Sequence, residues 1–323
     1  MKSSRPPRLK KKRASRARFI VSAERISHYF PFEPQNKNGD ITIPYIQTIR
    51  ALQTEMAIYI KESQIGDHME TIGIIAAMPQ ESDALLRLVE QRDCAEHGSY
   101  RFYHFRMLDR VCWLLTSGMG SARAAQATRA LIEAASPQLL VSVGIAGAVN
   151  TDLQIGDVVN STKTCFLEKS GLAGLLQPLA CLSQMAWQAA QFILKSGGAE
   201  LYAGTAITTH GALFVEQQPG QFPNPVLEME TSGIAGVAVE KGLPLLSLRS
   251  ISDGPRAPIP FDLGQMMDEQ DNIRTGEIIK TILGHPKMVP GLMRMGRNSR
   301  KAADNAAIAL MAALKQPGSI IGQ

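Results

Sequence analysis

The chain has 323 residues, and its composition, 45% hydrophobic and 20% charged, is that of an ordinary globular protein. The net charge of +5 is concentrated at the start, because residues 1–18 hold nine basic residues and no acidic one, which leaves 25 basic against 29 acidic residues in the remainder. An acidic remainder argues against a body that binds nucleic acid, and no apolar run approaches the ~18 residues that span a bilayer.

The cysteines and the N-terminus narrow the class of protein further. Cys94, Cys112, Cys165 and Cys181 show no CxxC or Cys/His ligand spacing, so we expect neither a metal site nor a disulfide framework. Cys112 and Cys165 stand in apolar stretches and are expected in the core. The basic N-terminus lacks the apolar segment of a secretory signal, and we therefore expect a cytoplasmic protein.

Residues 1–70 differ in composition from the rest of the chain. After the basic run, Phe30 to Asp40 contains two prolines and an Asn/Gly/Asp cluster, which is typical of a loop. We predict a disordered or loosely attached extension over residues 1–70 and a folded domain over residues 71–323. As an alternative role, the basic run could tether the protein to nucleic acid or to an acidic membrane surface.

From Thr71 onward, short apolar runs alternate with helical patterns. The runs predict strands at Ile72 to Ala77, Leu139 to Val143, Ala203 to Thr209 and Leu245 to Leu248, others beginning at Val158 and Val226, and a hairpin of Tyr100 to Leu108 with Arg110 to Leu115. Helices are predicted at Ser121 to Ala135, Ser183 to Lys195, Ile234 to Lys241 and Ala302 to Leu314. This alternation predicts one three-layer α/β/α domain around a mixed, largely parallel sheet.

Glycines and a serine follow two of the predicted strands. Ser117 and Gly118 open a turn before a helix, where glycines let backbone amides approach a ligand and the helix N-terminus favours an anion. Gly144 to Gly147 is predicted as a tight turn directly after the strand at Leu139. Each turn could be a simple chain reversal or a ligand-facing loop.

Carboxylates stand at other strand ends, which is where ligands bind in open α/β sheets. Glu81 follows the first apolar run, near a proline that suits the first turn of a helix. Glu228 and Glu230 flank Met229 after a later run, and alternate residues of an extended chain share one face. Two carboxylates on one face could hold the vicinal hydroxyls of a ribose.

A third strand end carries an arginine, a serine and an acid. Arg249, Ser252 and Asp253 end the run that begins at Leu245, and Arg249 could orient Glu230. Partial burial would raise the pKa of Asp253 and make it a general acid. Alternatively, Asp253 caps the turn that follows it.

Taken in order, these segments resemble the purine nucleoside phosphorylase and 5'-methylthioadenosine/S-adenosylhomocysteine nucleosidase superfamily over roughly residues 71–253. The resemblance implies that Glu81 is the general base and that Asp253 protonates the purine. It implies a nucleoside phosphorylase-like catalytic domain, no metal or organic cofactor, and a homo-oligomer. The implied contacts to base and ribose come from Ser117, Gly118, Gly144, Gly147, Phe214, Glu228, Met229, Glu230, Arg249 and Ser252.

Two segments depart from that family pattern. Gly211-Ala212-Leu213-Phe214 stands where the family has Gly-Asp-Ala-Phe near the purine, and Pro255 to Arg300 is longer than in the common nucleosidases. The longer segment implies an extended lid or an altered pocket for the 5' substituent. A similar segment occurs in the bacterial relatives linked to hopanoid synthesis.

The activity that the resemblance implies is hydrolysis of the N-glycosidic bond of an adenosine-type nucleoside, such as methylthioadenosine or an S-adenosylhomocysteine-like compound. One alternative is phosphorolysis on the same fold, including a hopanoid-associated type. Ala76 to Leu85 holds no Arg or Lys for a phosphate, which favours water as the nucleophile. A second alternative is a non-catalytic nucleoside-binding protein, against which the presence of both Glu81 and Asp253 argues.

Overall fold

One sheet holds all the strands of the residues that the structure, a computed structural model, describes: 69–168, 171–172, 174, 177–210, 222–258 and 289–322. In chain order the strands are β1 (Glu70–Ala76), β2 (Asp93–His97), β3 (Tyr100–Met107), β4 (Arg110–Thr116), β5 (Leu139–Ala148), β6 (Val158–Glu168), β7 (Gly171–Leu172), β8 (Gln177–Pro178), β9 (Leu201–Thr209), β10 (Pro225–Glu228) and β11 (Leu245–Asp253). The helices are α1 (Pro79–Leu86), α2 (Ser121–Ala135), α3 (Gln184–Ser196), α4 (Thr231–Lys241) and α5 (Val289–Leu314).

The sheet is mixed, with the order β10-β9-β6-β11-β5-β1-β4-β3-β2. At its centre β1 runs parallel to β4 and β5, and β5 runs parallel to β11. Strand β10 pairs with β9 and also, antiparallel, with β5, so β5, β11, β6, β9 and β10 form a closed ring of paired strands. The predicted α/β fold around a mixed sheet is confirmed.

Helices cover both faces of this sheet. One core cluster contains buried residues of α1, α3 and α5, and a second contains buried residues of α2 and α4. Strand β1 contributes Ile74 to the first cluster and Ile75 to the second, because successive side chains of a strand point to opposite faces. A strand buried on both faces needs an unbroken apolar run, which is why the sequence pattern identified it.

The segment Gly144 to Gly147 belongs to strand β5, so the tight turn predicted there is wrong. The strand continues because it has partners on both sides: Asp253 of β11 is opposite Gly147 on one edge, and Leu227 of β10 is opposite it on the other. Glycine within a strand often marks a site where other groups approach the backbone closely. Here the approaching groups are carboxyls of neighbouring elements.

Helix α5 begins at Val289, well before the predicted start at Ala302. Residues 289–301 are all exposed or half-buried, and Ala302 is the first buried residue of the helix. The apolar periodicity that predicts a helix therefore starts only where α5 reaches the core.

Arg110, the first residue of β4, anchors the far end of α5. The side chain is 1% exposed, and Nη1 donates to the carbonyls of Leu314 at 3.0 Å and Gln316 at 2.9 Å. Nη2 donates to the carbonyl of Gly318, and Nε donates to Glu70 Oε2 at 3.0 Å. The last carbonyls of a helix have no hydrogen-bond donor within the helix, and Arg110 supplies donors for those at the end of α5.

The described residues lie within one compact unit, residues 65–323. The predicted extension over residues 1–70 falls almost entirely outside the described residues, so its boundary stays a prediction. Cys112 and Cys165 are buried, as expected. Among the described helices, none is long and apolar enough to cross a membrane.

Candidate active site

Close contacts join the strand-end segments of the sequence into one polar cluster. The joined pairs are Glu81 with Ile145, Arg249 with Glu228, Glu230 with Gly120, and Asp253 with Gly147. Residues from five separate stretches of chain therefore meet at one edge of the sheet. Phe214 lies outside the described residues, so its contact with a purine stays a prediction.

Glu81 points its carboxylate back over the start of helix α1. Oε2 accepts hydrogen bonds from the amides of Ala77 at 2.8 Å and Met78 at 2.9 Å, and Oε1 accepts one from Ile145 at 2.9 Å. Burial raises the pKa of Glu81, and the charge of Arg249 offsets that rise in part. A carboxylate whose pKa is raised toward neutrality is a better proton acceptor at neutral pH.

Gly144 leaves room for the side chains of Glu81 and Arg249 to approach the backbone of β5. A Cβ on Gly144 would overlap Glu81 Oε1 and would lie 2.6 Å from Arg249 Nη1. Any side chain on this residue would therefore displace the carboxylate or the guanidinium.

Glu228 has its carboxylate committed to the protein. Oε1 accepts from the hydroxyl of Thr208, and Oε2 accepts from the amides of Glu230 at 3.0 Å and Thr231 at 2.8 Å, the Thr231 hydroxyl at 2.7 Å and Arg249 Nη2 at 2.8 Å. The side chain is 1% exposed. These hydrogen bonds hold Glu228 at the start of α4, and its predicted contact with ribose stays a prediction.

Arg249 pairs most closely with Glu228 and also lies within ion-pair distance of Glu230, so the prediction that it orients Glu230 stays a prediction. Its Nη2 lies 2.8 Å from Glu228 Oε2, 2.7 Å from Ser142 Oγ and 3.9 Å from Glu230 Oε2. Burial alone would lower the pKa of this guanidinium, but the charges of Glu228, Glu230 and Glu81 raise it. Arg249 therefore remains a buried cation shared by three carboxylates.

Glu230 differs from Glu228 because only one of its two carboxylate oxygens is hydrogen-bonded within the described residues. Oε1 accepts from the amide of Gly120 at 3.0 Å, whereas Oε2 makes no hydrogen bond to the part of the chain that the structure describes. Burial, with the nearby charge of Glu228, raises the pKa of Glu230 to about 8. Met229, between the two glutamates, is half-buried.

The turn at Ser117 and Gly118 directs an amide toward Glu230. The Ser117 amide bonds the carbonyl of Ala76 at 2.9 Å, and the Ser117 hydroxyl donates to Gly118 at 2.8 Å. Gly118 has a φ of 80° and Gly120 a φ of 101°, conformations that favour glycine. The turn is fixed by its own hydrogen bonds, and the Gly120 amide faces the carboxylate.

Asp253 is the last residue of β11, the strand that runs parallel to β5. Ser252 Oγ lies 2.6 Å from Asp253 Oδ1, and a register shift between Ile251 and Asp253 re-aims the aspartate over Gly147. Burial raises the pKa of Asp253, and the hydrogen bond from Ser252 opposes this. A carboxyl group of this kind holds its proton to a higher pH and can donate it.

Two residues of the cluster have no counterpart in the sequence prediction. Thr208 and Ser142 are fully buried, and their hydroxyls contact Glu228 and Arg249 respectively. Ser142 is the one hydroxyl residue of β5, whereas Thr208 is one of three threonines in β9, so no signal in the sequence set Thr208 apart. Within the described residues, no group of His, Cys, Asp and Glu side chains could hold a metal ion.

Solved structures share this architecture. The chain covers 99% of 5'-methylthioadenosine/S-adenosylhomocysteine nucleosidase from Neisseria meningitidis in complex with methylthio-immucillin-A, with a TM-score of 0.56 and 21% identity over 76% of its own length. It covers 97% of native futalosine hydrolase of Helicobacter pylori, with a TM-score of 0.55 and 19% identity over 76% of its own length. At these identities the similarity establishes the fold.

Paired acidic groups beside a buried arginine, on glycine-lined strands of a mixed sheet, are typical of an enzyme that moves protons during bond cleavage. A family model described as the phosphorylase superfamily matches residues 71–283, and the chain belongs to this superfamily. It is an enzyme that breaks N-glycosidic bonds, a nucleosidase or a nucleoside phosphorylase. The predicted resemblance and enzyme class are confirmed.

Curated relatives carry a more specific name. The chain is 32% identical over 208 residues to 5'-methylthioadenosine/S-adenosylhomocysteine nucleosidase of Haemophilus influenzae (strain PittEE), over 59% of this chain and 90% of the relative. It is 29% identical over 234 residues to the protein of the same name from Halalkalibacterium halodurans, over 67% of this chain and 99% of the relative.

Proposed function

We propose that the protein hydrolyses the N-glycosidic bond of an adenosine-type nucleoside, with methylthioadenosine or an S-adenosylhomocysteine-like compound as substrate. The relatives of that name support the substrate class. The observation that carries the mechanism is the placement of two carboxyl groups over glycines of one strand, Glu81 at Gly144 and Asp253 at Gly147. Both glycines lie in the second half of β5, so the two carboxyl groups are placed toward the carboxyl end of the same strand.

Asp253 acts as the general acid in this proposal. Its raised pKa favours the protonated form, which donates to N7 of the purine. The bond between the anomeric carbon and N9 then breaks, and its electron pair goes to the protonated base. The ribose gains positive charge at the anomeric carbon as the bond lengthens.

Glu81 acts as the general base. It takes a proton from a water molecule whose oxygen forms the new bond to the anomeric carbon. Arg249, whose Nη1 lies beside Gly144 near Glu81, and the turn at Ser117 and Gly118 are the polar groups that could hold this water. General acid and base catalysis each contribute ~10²–10⁴-fold to such a rate.

Glu230 binds the ribose hydroxyls, and Met229 packs against the sugar. The Oε2 atom of Glu230 is the acceptor for a hydroxyl, because the oxygens of Glu228 already bond Thr208, Thr231 and the start of α4. A protonated Glu230 could also donate a hydrogen bond to a ribose oxygen, since its pKa is about 8.

Water is the proposed nucleophile because the charges of the cluster are unfavourable to phosphate. The buried arginines of the described ranges are Arg110, at the opposite edge of the sheet, and Arg249. Arg249 is already shared by Glu228, Glu230 and Glu81, and a phosphate dianion would be repelled by those members of the cluster that are ionised. Exposed Arg256, three residues after Asp253, and half-buried Arg123, whose Nη1 would lie 3.7 Å from a Cβ on Gly118, are cations that phosphorolysis could use.

The test is product analysis with the purified full chain and a panel of adenine nucleosides that differ at the 5' position. In phosphate-free buffer we expect release of adenine and a free 5'-substituted ribose, at a rate that added phosphate leaves unchanged. A rate that rises with phosphate, with a ribose 1-phosphate ester as product, would replace hydrolysis by phosphorolysis. Light scattering on the same preparation checks the predicted homo-oligomer.

A further inference from the structure

Thr208 lies beneath the cluster, one residue before the end of β9, and is fully buried. It stands opposite Glu228 in the parallel pairing of β9 with β10. Its hydroxyl donates to Glu228 Oε1 and accepts from the amide of Ser232 at 2.9 Å. The hydroxyl therefore joins a carboxylate at the end of one strand to the first turn of helix α4.

Three consecutive amides at the start of α4 bond this pair of residues. Glu228 Oε2 accepts from the amides of Glu230 and Thr231, and Thr208 accepts from that of Ser232. The first amides of a helix have no intrahelical partner and need one from outside. Glu230 is the residue directly before this turn, so its backbone position follows from these three hydrogen bonds.

The same carboxylate also sets the position of Arg249. Glu228 Oε2 lies 2.8 Å from Arg249 Nη2, and Thr208 holds the other oxygen of that carboxylate. A carboxylate fixed at both oxygens cannot rotate about its last bond. We propose that Thr208 is a positioning residue, whose hydroxyl acts through Glu228 to fix Arg249 and Glu230 in the site.

The expected effect on catalysis rests on the proposed nucleosidase function. The hydrogen bonds by which Thr208 anchors Glu228 and the start of α4 do not depend on that function. A residue that merely satisfied buried polar groups would lower the stability of the fold when altered and leave the turnover of the remaining folded enzyme unchanged. A positioning residue would lower turnover in protein that is still folded. The two roles therefore differ in kcat measured at a temperature well below unfolding.

The strand provides a matched control for the test. Thr205, three residues earlier in β9, is also fully buried, and its hydroxyl has no hydrogen-bond partner in the part of the chain that the structure describes. Thr208→Val removes the anchoring hydroxyl with little change of shape, Thr208→Ser keeps it, and Thr205→Val removes a hydroxyl that anchors nothing. All three are made in the full chain.

Two measurements decide the matter: kcat and KM with an adenine nucleoside, and hydrogen exchange of the Thr231 and Ser232 amides without substrate. For Thr208→Val we expect kcat to fall about tenfold or more and exchange to quicken about tenfold, as for loss of a buried hydrogen bond. Thr208→Ser and Thr205→Val should stay near wild type in both.

Each contrary result has its own meaning. Folded Thr208→Val protein with wild-type kcat overturns the positioning role, even if exchange quickens. Unchanged exchange overturns the anchoring, whatever the activity. If the wild-type protein releases no adenine from any nucleoside, the proposed function fails, and the exchange data still decide whether Thr208 anchors α4.

Discussion

The carboxyl group of Asp253 lies where a side chain on Gly147 would begin. A Cβ built on Gly147 would be 2.7 Å from Asp253 Oδ2, although the two residues belong to neighbouring strands, β5 and β11. Gly144, earlier in the same strand, has the same relation to Glu81. Because Gly144 and Gly147 have no side chains, the carboxyl groups of Glu81 and Asp253 can lie directly against β5.

Gly147→Ala should therefore impair activity by displacing Asp253. Misplacement of a catalytic group by about 1 Å can cost ~10²-fold, and we expect kcat to fall by roughly 10- to 100-fold. Gly236→Ala, in the interior of α4, is the control, because a Cβ there meets no atom within 4 Å and should stabilise the helix by ~0.5–1 kcal/mol. Steady-state kinetics and thermal unfolding of both variants check this; equal activities would contradict it.

Asp253→Asn should abolish most turnover and leave nucleoside binding in place. The amide keeps the shape of the side chain but does not donate a proton as an acid does, so kcat should fall ~10²–10⁴-fold. Rapid-quench assays of adenine release, with calorimetric titration for binding, measure the two effects separately. Retention of more than about a tenth of wild-type kcat would mean that another group protonates the base.

Glu81→Gln should lower kcat by a similar ~10²-fold or more, because the amide cannot accept a proton from water. Asp83→Asn is the matched control on the same helix, since Asp83 is exposed whereas Glu81 is 4% exposed. Both variants are assayed at saturating nucleoside and across pH. The assignment of Glu81 fails if the two variants have comparable turnover.

Glu230 should make the stability of the protein fall as pH rises. Its pKa is raised from 4.5 to about 8 in the folded protein, so between these values the folded state holds a proton that the unfolded chain has released. Stability from this group is complete below about pH 4.5 and is lost as pH rises toward about 8.

Glu230→Gln removes that titration and isolates it from those of Glu81 and Asp253. The difference in unfolding free energy between variant and wild type should shift in favour of the variant from about pH 5 to about pH 8. Urea unfolding at several pH values measures it. A difference that stays constant over this range would show that Glu230 does not titrate there.

Arg110→Met should destabilise the domain by ~3 kcal/mol or more and leave the kinetic constants of the folded enzyme unchanged. Removing this buried cation leaves the carbonyls of Leu314, Gln316 and Gly318 without a donor. Arg101→Met serves as control, because Arg101 pairs with Glu96 in an exposed hairpin and should have little effect. Chemical denaturation of the two variants, compared with their kcat, tests both parts.

The sequence predicted those parts of the protein that leave a local pattern. Apolar runs and helical periodicity predicted the strands and helices. Polar residues after apolar runs predicted that Glu81 and Asp253 belong to the site. The bond of Thr208 to Glu228 spans 20 residues and that of Arg249 to Ser142 spans 107, so neither produces a periodicity. The contacts of Glu228 with Thr208 and Arg249 were missed for the same reason, because these partners come from other strands. Gly147 looks like a turn residue until its two neighbouring strands, β10 and β11, are in place.

Arg110 also sets the order in which the domain can be completed during synthesis. Its partners at Leu314 and Gly318 lie 204 and 208 positions later in the chain. At ~5–20 residues per second, a ribosome needs roughly 10–40 s to reach them after the arginine has been made. During that interval the guanidinium has none of its helix-end acceptors, and strands β5, β6 and β11 lack the helix that packs against them. The nascent domain therefore stays open, with apolar strand surface available to chaperones, until residue 318 has emerged.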